Sequence, residues 1–375
     1  MTGGGEEALR REYVIGDEIG RGRFGTVRRC YAAATGAPFA LKSTPKAPLR
    51  ALEADPLDLA LAEQEPKVHL LVSAPPPASR HVVALHAAFE DADAVHLVLD
   101  LCEGGDLFSL VSARGPLPEP EAADLAAQLA DALAGCHRRG VAHRDVKPDN
   151  LFFDASGALR LGDFGSAGWF GDGCPMTGLV GTPYYVAPEV VAGREYTEKV
   201  DVWSAGVVLY VMLSGTVPFY GATAGEIFEA VLRGNLRFPP RAFAGVSPEA
   251  KDLMRRMLCK DVSRRFSAEQ VLSTKSSQQP LSLSTPSPLH CSLEHHLQIW
   301  SSLEMFADVW RGVNFYLQGT HGSCPAGEVR RWPADSEFRC SAASSLCSVD
   351  IGVRRPRGVE PPFAVDFCFV SGNRR

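Results

Sequence analysis

With 375 residues, 45% of them hydrophobic and 22% charged, the chain has ample apolar material for a buried core. A net charge of −6 argues against nucleic acid, whose recognition needs a basic footprint. The most apolar stretch, 202–218, is too short to span a bilayer and contains Ser204, Gly206, Ser214 and Gly215, so it reads as a buried helix and no membrane partner is expected.

In chain order, residues 1–11 are Gly- and Glu-rich and read as a flexible start without a secretory signal; Thr2 breaks the myristoylation pattern. Segments 13–19, 26–33 and 38–43 read as strands joined by Gly-containing turns. A helix over 57–73 and strands over 82–90 and 94–101 follow. From Glu119 the chain is mainly helical, over 119–139, 201–215, 223–234, 247–258 and 267–272. The expectation is an α+β molecule of two lobes with a cleft between them: a β-rich lobe over about 12–101 and a helical lobe over about 102–272. Composition then switches to a Ser/Pro/Gln-rich run, 273–288, without helical or strand period. Residues 273–375 are expected to be a divergent, largely disordered tail, in which 293–310 fits a short amphipathic helix and 362–370 a strand. His290, Cys291, His295 and His296 fit no strong zinc spacing. Ten cysteines at scattered spacings, with no paired C-x-x-C, suggest free thiols in a reducing compartment, hence the cytoplasm.

Gly20-Arg-Gly22-Arg-Phe-Gly25-Thr-Val27 is a G-x-G-x-x-G-x-V loop, whose glycines let backbone approach phosphates without a Cβ clash. A dinucleotide loop opens into a helix, whereas here residues 27–31 continue as a strand. Lys42 follows at strand spacing; to bind phosphates it needs a helix carboxylate, with Glu65 the first choice and Glu63 the second.

The second lobe carries His143-Arg144-Asp145-Val-Lys147-Pro-Asp149-Asn150, then Asp163-Phe164-Gly165, then Gly181-Thr182-Pro183-Tyr-Tyr-Val-Ala187-Pro188-Glu189. This ordered set resembles the protein kinases. The resemblance implies ATP and Mg²⁺ as cofactors. Asp145 would accept the hydroxyl proton, Lys147 would neutralise the moving phosphoryl group, and Asn150 and Asp163 would hold the metal, with Lys42 and Glu65 completing the catalytic set. The nucleotide site would comprise Ile19, Gly20, Gly22, Gly25, Val27, Ala40, Lys42, Asp100, Cys102, Asp106 and Phe152. Lys147 and the Gly-Thr-Pro match the serine/threonine branch. Asp106 and Asp149 match positions that read arginines ahead of a target serine, or are plain capping and surface acids. Glu189 should meet Arg265, and Asp201 should hold the catalytic loop's backbone. Ser166 and Thr177 lie on the activation segment, where Arg144 would permit a phosphate to dock.

Residues 166–173, 193–196, 198–210, 234–240 and 257–272, the opening 18–27 and the pair Glu65-Pro66 are similar to the plant phosphoenolpyruvate carboxylase kinases, over about 12–272. That family is related to calcium-dependent protein kinases. The resemblance implies a monomer without a calcium-binding domain, active without a phosphorylation switch. Its partner would be phosphoenolpyruvate carboxylase, phosphorylated on a serine near its N-terminus to relieve malate inhibition. Leu272, His69 and Phe152 mark departures, and Pro66 bears on the helix it sits in. Leu272 runs into Ser273-Thr-Lys-Ser where the family has a His-Pro-Trp helix, so the last helix is expected to be incomplete. Pro66 should kink or restart its helix. His69 falls where most kinases place an apolar residue linking the lobes, and a polar ring there is expected to loosen the active arrangement. Phe152 replaces a smaller floor under the adenine. Other readings are a kinase for another basic-flanked serine, or a poorly active pseudokinase serving as a binding module; intact Lys42, Asp145, Asn150 and Asp163 favour the enzyme.

Overall fold

Period-two alternation builds the first lobe. In the computed structural model, which describes residues 4–22, 25–51 and 56–276, α1 (Gly4–Glu12) leads into β1 (Tyr13–Arg21), β2 (Thr26–Ala32) and β3 (Pro38–Pro45). Next come α2 (Lys46–Leu49), α3 (Pro56–Ser73), β4 (Leu85–Glu90) and β5 (Ala94–Leu99). The strands form one antiparallel sheet, ordered β1-β2-β3-β5-β4. Successive side chains face opposite ways. Ala40, Val95, Leu97 and Leu99 pack with Val83, Leu85 and Leu70 of α3 on one face, while Leu41 and Val98 pack with Cys30 and Leu9 on the other.

That second face corrects the expectation of a flexible start. Residues 4–12 are a helix whose Leu9 is fully buried, packed near Tyr13, Ile15, Phe39 and Phe89. Two adjacent apolar residues, Ala8 and Leu9, in a Gly- and Glu-rich stretch show no helical period; the sheet's uncovered face supplies the reason to fold. Pro66 does not make its helix restart: α3 runs unbroken from Pro56 to Ser73 around it. The hydrogen bond lost is the one to the Ala62 carbonyl, and buried Leu61, Ala62, Val68 and Val72 on either side of the proline hold the helix in place.

The second lobe comprises α4 (Leu107–Arg114), α5 (Glu119–Arg138), β6 (Val141–Ala142), β7 (Leu151–Phe153), β8 (Leu159–Leu161), β9 (Gly168–Trp169), α6 (Pro188–Val191), α7 (Lys199–Ser214), α8 (Ala224–Arg233), α9 (Pro240–Phe243), α10 (Pro248–Met257) and α11 (Ala268–Ser276). Two small ladders, β6–β9 and β7–β8, frame the cleft side. Helix α4 has no strong sequence period; it starts because Asp106 caps it, accepting from the Ser109 N–H at 2.7 Å. Helix α7 is buried on nearly every side, which is why its sequence is apolar all round. Helix α11 continues to Ser276, beyond the expected stop, and packs on α5 with Ala268 and Val271 in the main core. The helix at 293–310, the strand at 362–370 and the histidine–cysteine group at 290–296 lie outside the described residues.

Arg265 ties the lobe together. Its guanidinium makes a bidentate pair with Glu189 at 2.5 and 2.8 Å, donates to the carbonyls of Cys259 and Lys199, and lies 5.1 Å from the Trp203 ring centre. Both partners are buried, so removing one leaves an uncompensated charge. Arg265→Met should therefore cost about 3–5 kcal/mol, lowering the melting temperature by roughly 10 °C in thermal denaturation.

Candidate active site

Lys42 on β3 and Glu65 on α3 meet in the cleft: Lys42 Nζ lies 2.6 Å from Glu65 Oε1 and 2.7 Å from Asp163 Oδ1. Glu63, the alternative partner, is exposed. Burial would lower the Lys42 pKa, but the charges of Glu65 and Asp163 outweigh it and the pKa is raised. Burial pushes the Glu65 carboxyl up against the opposing effect of Lys42. Enclosure would raise Asp163 as well, yet the Lys42 charge and hydrogen bond, helped by His143 and Lys147, hold it down to about 2. One ammonium thus anchors a carboxylate from each lobe, and Asp163 stays ionised.

The loop between β6 and β7 is held from beneath by Asp201 of α7. Its carboxylate accepts from the N–H groups of His143 and Arg144, both at 2.8 Å, and is 2.9 Å from His137 Nε2. His143 in turn places Nε2 2.9 Å from the Gly162 carbonyl, and its Nδ1 accepts from the Asp145 N–H at 3.3 Å. Asp145 is then surrounded by donors. Lys147 Nζ lies 2.7 Å from its Oδ2, Thr182 Oγ1 lies 2.7 Å from its Oδ1, and Lys147 also reaches Thr182 at 3.1 Å. Gly181 makes the approach of Thr182 possible: its φ is +113°, and a Cβ there would sit 2.7 Å from the Arg144 carbonyl oxygen. Neither the role of Thr182 nor that of His143 was legible beforehand; both stood in recognised motifs, without a spacing that reveals their partners.

The expected nucleotide residues fall together on the first-lobe side and the floor. Val27, Ala40, Cys102 and Phe152 share one apolar cluster with Val83 and Leu97. Ile19 is exposed, Gly20 pairs with Val27, and the Gly22 N–H donates to the Gly25 carbonyl at 2.9 Å. Gly25 is tightly placed, since a Cβ would meet the Ser43 carbonyl at 2.0 Å. The Asp100 carboxylate is spent on His86 and the Ala84 N–H, so it can serve a nucleotide only through its backbone. Asp106 bridges to Phe152 while capping α4; Asp149 is exposed.

Mg²⁺ fits this donor set. Asn150 Nδ2 donates to the Asp145 carbonyl at 2.8 Å, so the amide oxygen is the atom it would offer a metal, and Asp163 is ionised. Among the described residues no group of three or more His, Cys, Asp or Glu could hold a metal alone. An amide and a carboxylate that rely on phosphate oxygens for the other ligands are typical of Mg²⁺.

Arg144 is already engaged. Nε donates to the Ser166 carbonyl at 2.7 Å and Nη2 to the Ala167 carbonyl at 3.1 Å, while the Tyr196 hydroxyl, 3.5 Å from Nη1, reaches the carbonyls of Thr177 and Gly178. The activation segment is thus tied down by backbone acceptors. Thr177→Ala should leave kcat within about twofold in a steady-state assay, because no phosphate is needed to satisfy the guanidinium. Thr182→Ala should lower kcat about tenfold at unchanged KM for ATP, with Thr182→Ser restoring most of it, because the hydroxyl orients Asp145 and Lys147.

The protein kinase domain family matches residues 13–276. Calcium-dependent protein kinase 10 of Oryza sativa subsp. japonica is 41% identical over 269 residues, covering 71% of this chain and 43% of that relative. Calcium-dependent protein kinase 22 of the same plant is 42% identical over 69% of this chain and 45% of the relative. Serine/threonine-protein kinase PEPKR2 of Arabidopsis thaliana is 40% identical over 72% and 54%. The chain spans about half the length of these curated relatives. With that match laid over the Lys42–Glu65–Asp163 and Asp145–Lys147–Thr182 clusters, the chain belongs to the protein kinase family, as a serine/threonine kinase that uses ATP and Mg²⁺.

Proposed function

We propose that this kinase transfers the γ-phosphoryl group of ATP to a serine near the N-terminus of phosphoenolpyruvate carboxylase, relieving inhibition of that enzyme by malate. The observation that carries the chemistry is Lys147 Nζ, lying 2.7 Å from Asp145 and 3.1 Å from Thr182 Oγ1. Asp145 accepts the serine proton as the oxygen attacks, and Lys147 offsets charge on the moving phosphoryl group. Lys42, anchored by Glu65, takes the α- and β-phosphates. Asn150 and Asp163 would hold Mg²⁺, whose charge would offset that of the phosphates. Support for the substrate comes from the segments 166–173, 193–196 and 234–240 that resemble carboxylase kinases. The acids Asp106 and Asp149 beside the catalytic loop suit an arginine or lysine ahead of the target serine. The five described cysteines are free thiols, which agrees with a cytoplasmic enzyme.

Equal similarity to calcium-dependent kinases favours a second reading, in which the serine belongs to another protein with basic flanks. Phosphate incorporation into a carboxylase N-terminal peptide discriminates the two. The wild type should label it, and Asp145→Ala should label it roughly 100- to 10,000-fold more slowly. Changing the peptide's upstream basic residue to Ala should cost about tenfold in kcat/KM. Labelling of an unrelated basic-flanked peptide, with none of the carboxylase peptide, would establish the second reading instead.

A further inference from the structure

Helix α3 carries one polar ring into the apolar centre of the site. His69, one turn beyond Glu65, is fully buried. Its Nε2 lies 2.8 Å from the Val83 carbonyl oxygen, and its ring centre is 4.6 Å from that of Phe164, tilted by 36°. A carbonyl only accepts, so Nε2 carries the proton and Nδ1 is a bare acceptor. Nδ1 has no hydrogen-bond partner. That orphan costs free energy that an apolar side chain would not incur, so the ring works against the site unless its other contacts compensate.

Those contacts close a circuit. The Val83 N–H donates to the Leu161 carbonyl at 2.9 Å, and Val82 bridges to Leu161. Leu161 is followed by Gly162, Asp163 and Phe164, and Phe164 returns to the His69 ring. His69 therefore grips both ends of the short segment that carries Asp163. On the far side His143 meets Phe164 edge-on at 4.9 Å and reaches the Gly162 carbonyl. Asp163 sits at φ 59°, a left-handed backbone that a non-glycine residue keeps only when its surroundings over-determine it. An apolar residue at position 69 could fill the space against Phe164 but would leave the buried Val83 carbonyl without this donor.

We infer that His69 is a positioning residue, whose Nε2–H bond to Val83 and ring contact with Phe164 together hold Asp163 in its left-handed conformation beside Lys42. The ring tightens the active arrangement where its polarity alone would have loosened it. Burial, with the charges of Lys42 and His143, pulls its pKa down to about 4 against the Val83 bond and Asp163. The neutral Nε2–H form therefore persists at neutral pH.

The test is steady-state kinetics of the full chain with Mg-ATP and histone as a general acceptor, alongside thermal denaturation. His69→Leu keeps the bulk and removes the donor; His69→Gln restores an amide N–H near the place of Nε2. The leucine variant should lose about tenfold in kcat and need more Mg²⁺ for half-maximal rate, at unchanged KM for the acceptor, and the glutamine variant should recover most of both. Wild-type kcat and Mg²⁺ requirement in the leucine variant would overturn the inference. So would equal losses in both variants that track their melting temperatures. Nitrogen-15 spectra of histidine-labelled wild type give a check independent of folding variants and of activity. One ring should remain an Nε2–H tautomer without titrating between about pH 5 and 8; its absence would refute the assignment.

Discussion

Everything in the cleft depends on one ammonium group holding two carboxylates that arrive from different lobes. Lys42 is fixed by strand pairing, Glu65 by the burial of α3, and Asp163 by the segment that follows β8. Two like charges brought close to one another repel, and burial disfavours both. The Lys42 charge offsets these costs, and it does so only while α3 lies against the sheet. The position of α3 is therefore the variable on which phosphate binding and metal binding both hang.

The rest of the molecule constrains that variable. Leu70 packs α3 on the sheet's inner face, while Arg139, at the end of α5, donates to the carbonyls of Leu71 in the last turn of α3 and of Ala74 and Pro76 just beyond it. Donors of this kind satisfy carbonyls that a helix end leaves open. His69 adds a tie from the middle of the helix to the strand side. From below, Asp201 fixes the catalytic loop through two backbone N–H groups, so Asp145 and Asn150 are referred to α7, the most buried helix of the second lobe. Charged groups needed for chemistry are thus each attached to a buried element, which keeps their mutual distances set by packing.

Much of this was legible in advance. The Gly-rich loop, Lys42, the 143–150 loop, Asp163 and the Glu189–Arg265 pair are short, ordered patterns whose chemistry demands those residue types. Strands β1 to β5 were expected near their observed bounds, the first three from their Gly-containing turns, and α5, α8 and α10 were expected as helices. The errors have one cause: local pattern was outvoted by a neighbouring surface. Residues 4–12 fold because the sheet's outer face would otherwise be bare to water, and α3 passes through Pro66 because its buried neighbours hold it. Helix α11 runs past Leu272 because it packs on α5, with Ala268 and Val271 in the main core and Leu272 against it.

By itself, then, the sequence determined the reaction class, the residues that bear charge, and the order of sheet and helices, since these follow from chemical identity and period along the chain. The tertiary structure decided what those residues face. Thr182 reaches Asp145 through the open backbone of Gly181, Arg144 spends its guanidinium on carbonyls of the activation segment, and His69 finds the carbonyl of Val83, ten residues beyond the end of its own helix. Each of these partners is a backbone atom or a side chain outside the local motif, and no one-dimensional pattern encodes a contact that only tertiary packing within a lobe brings about.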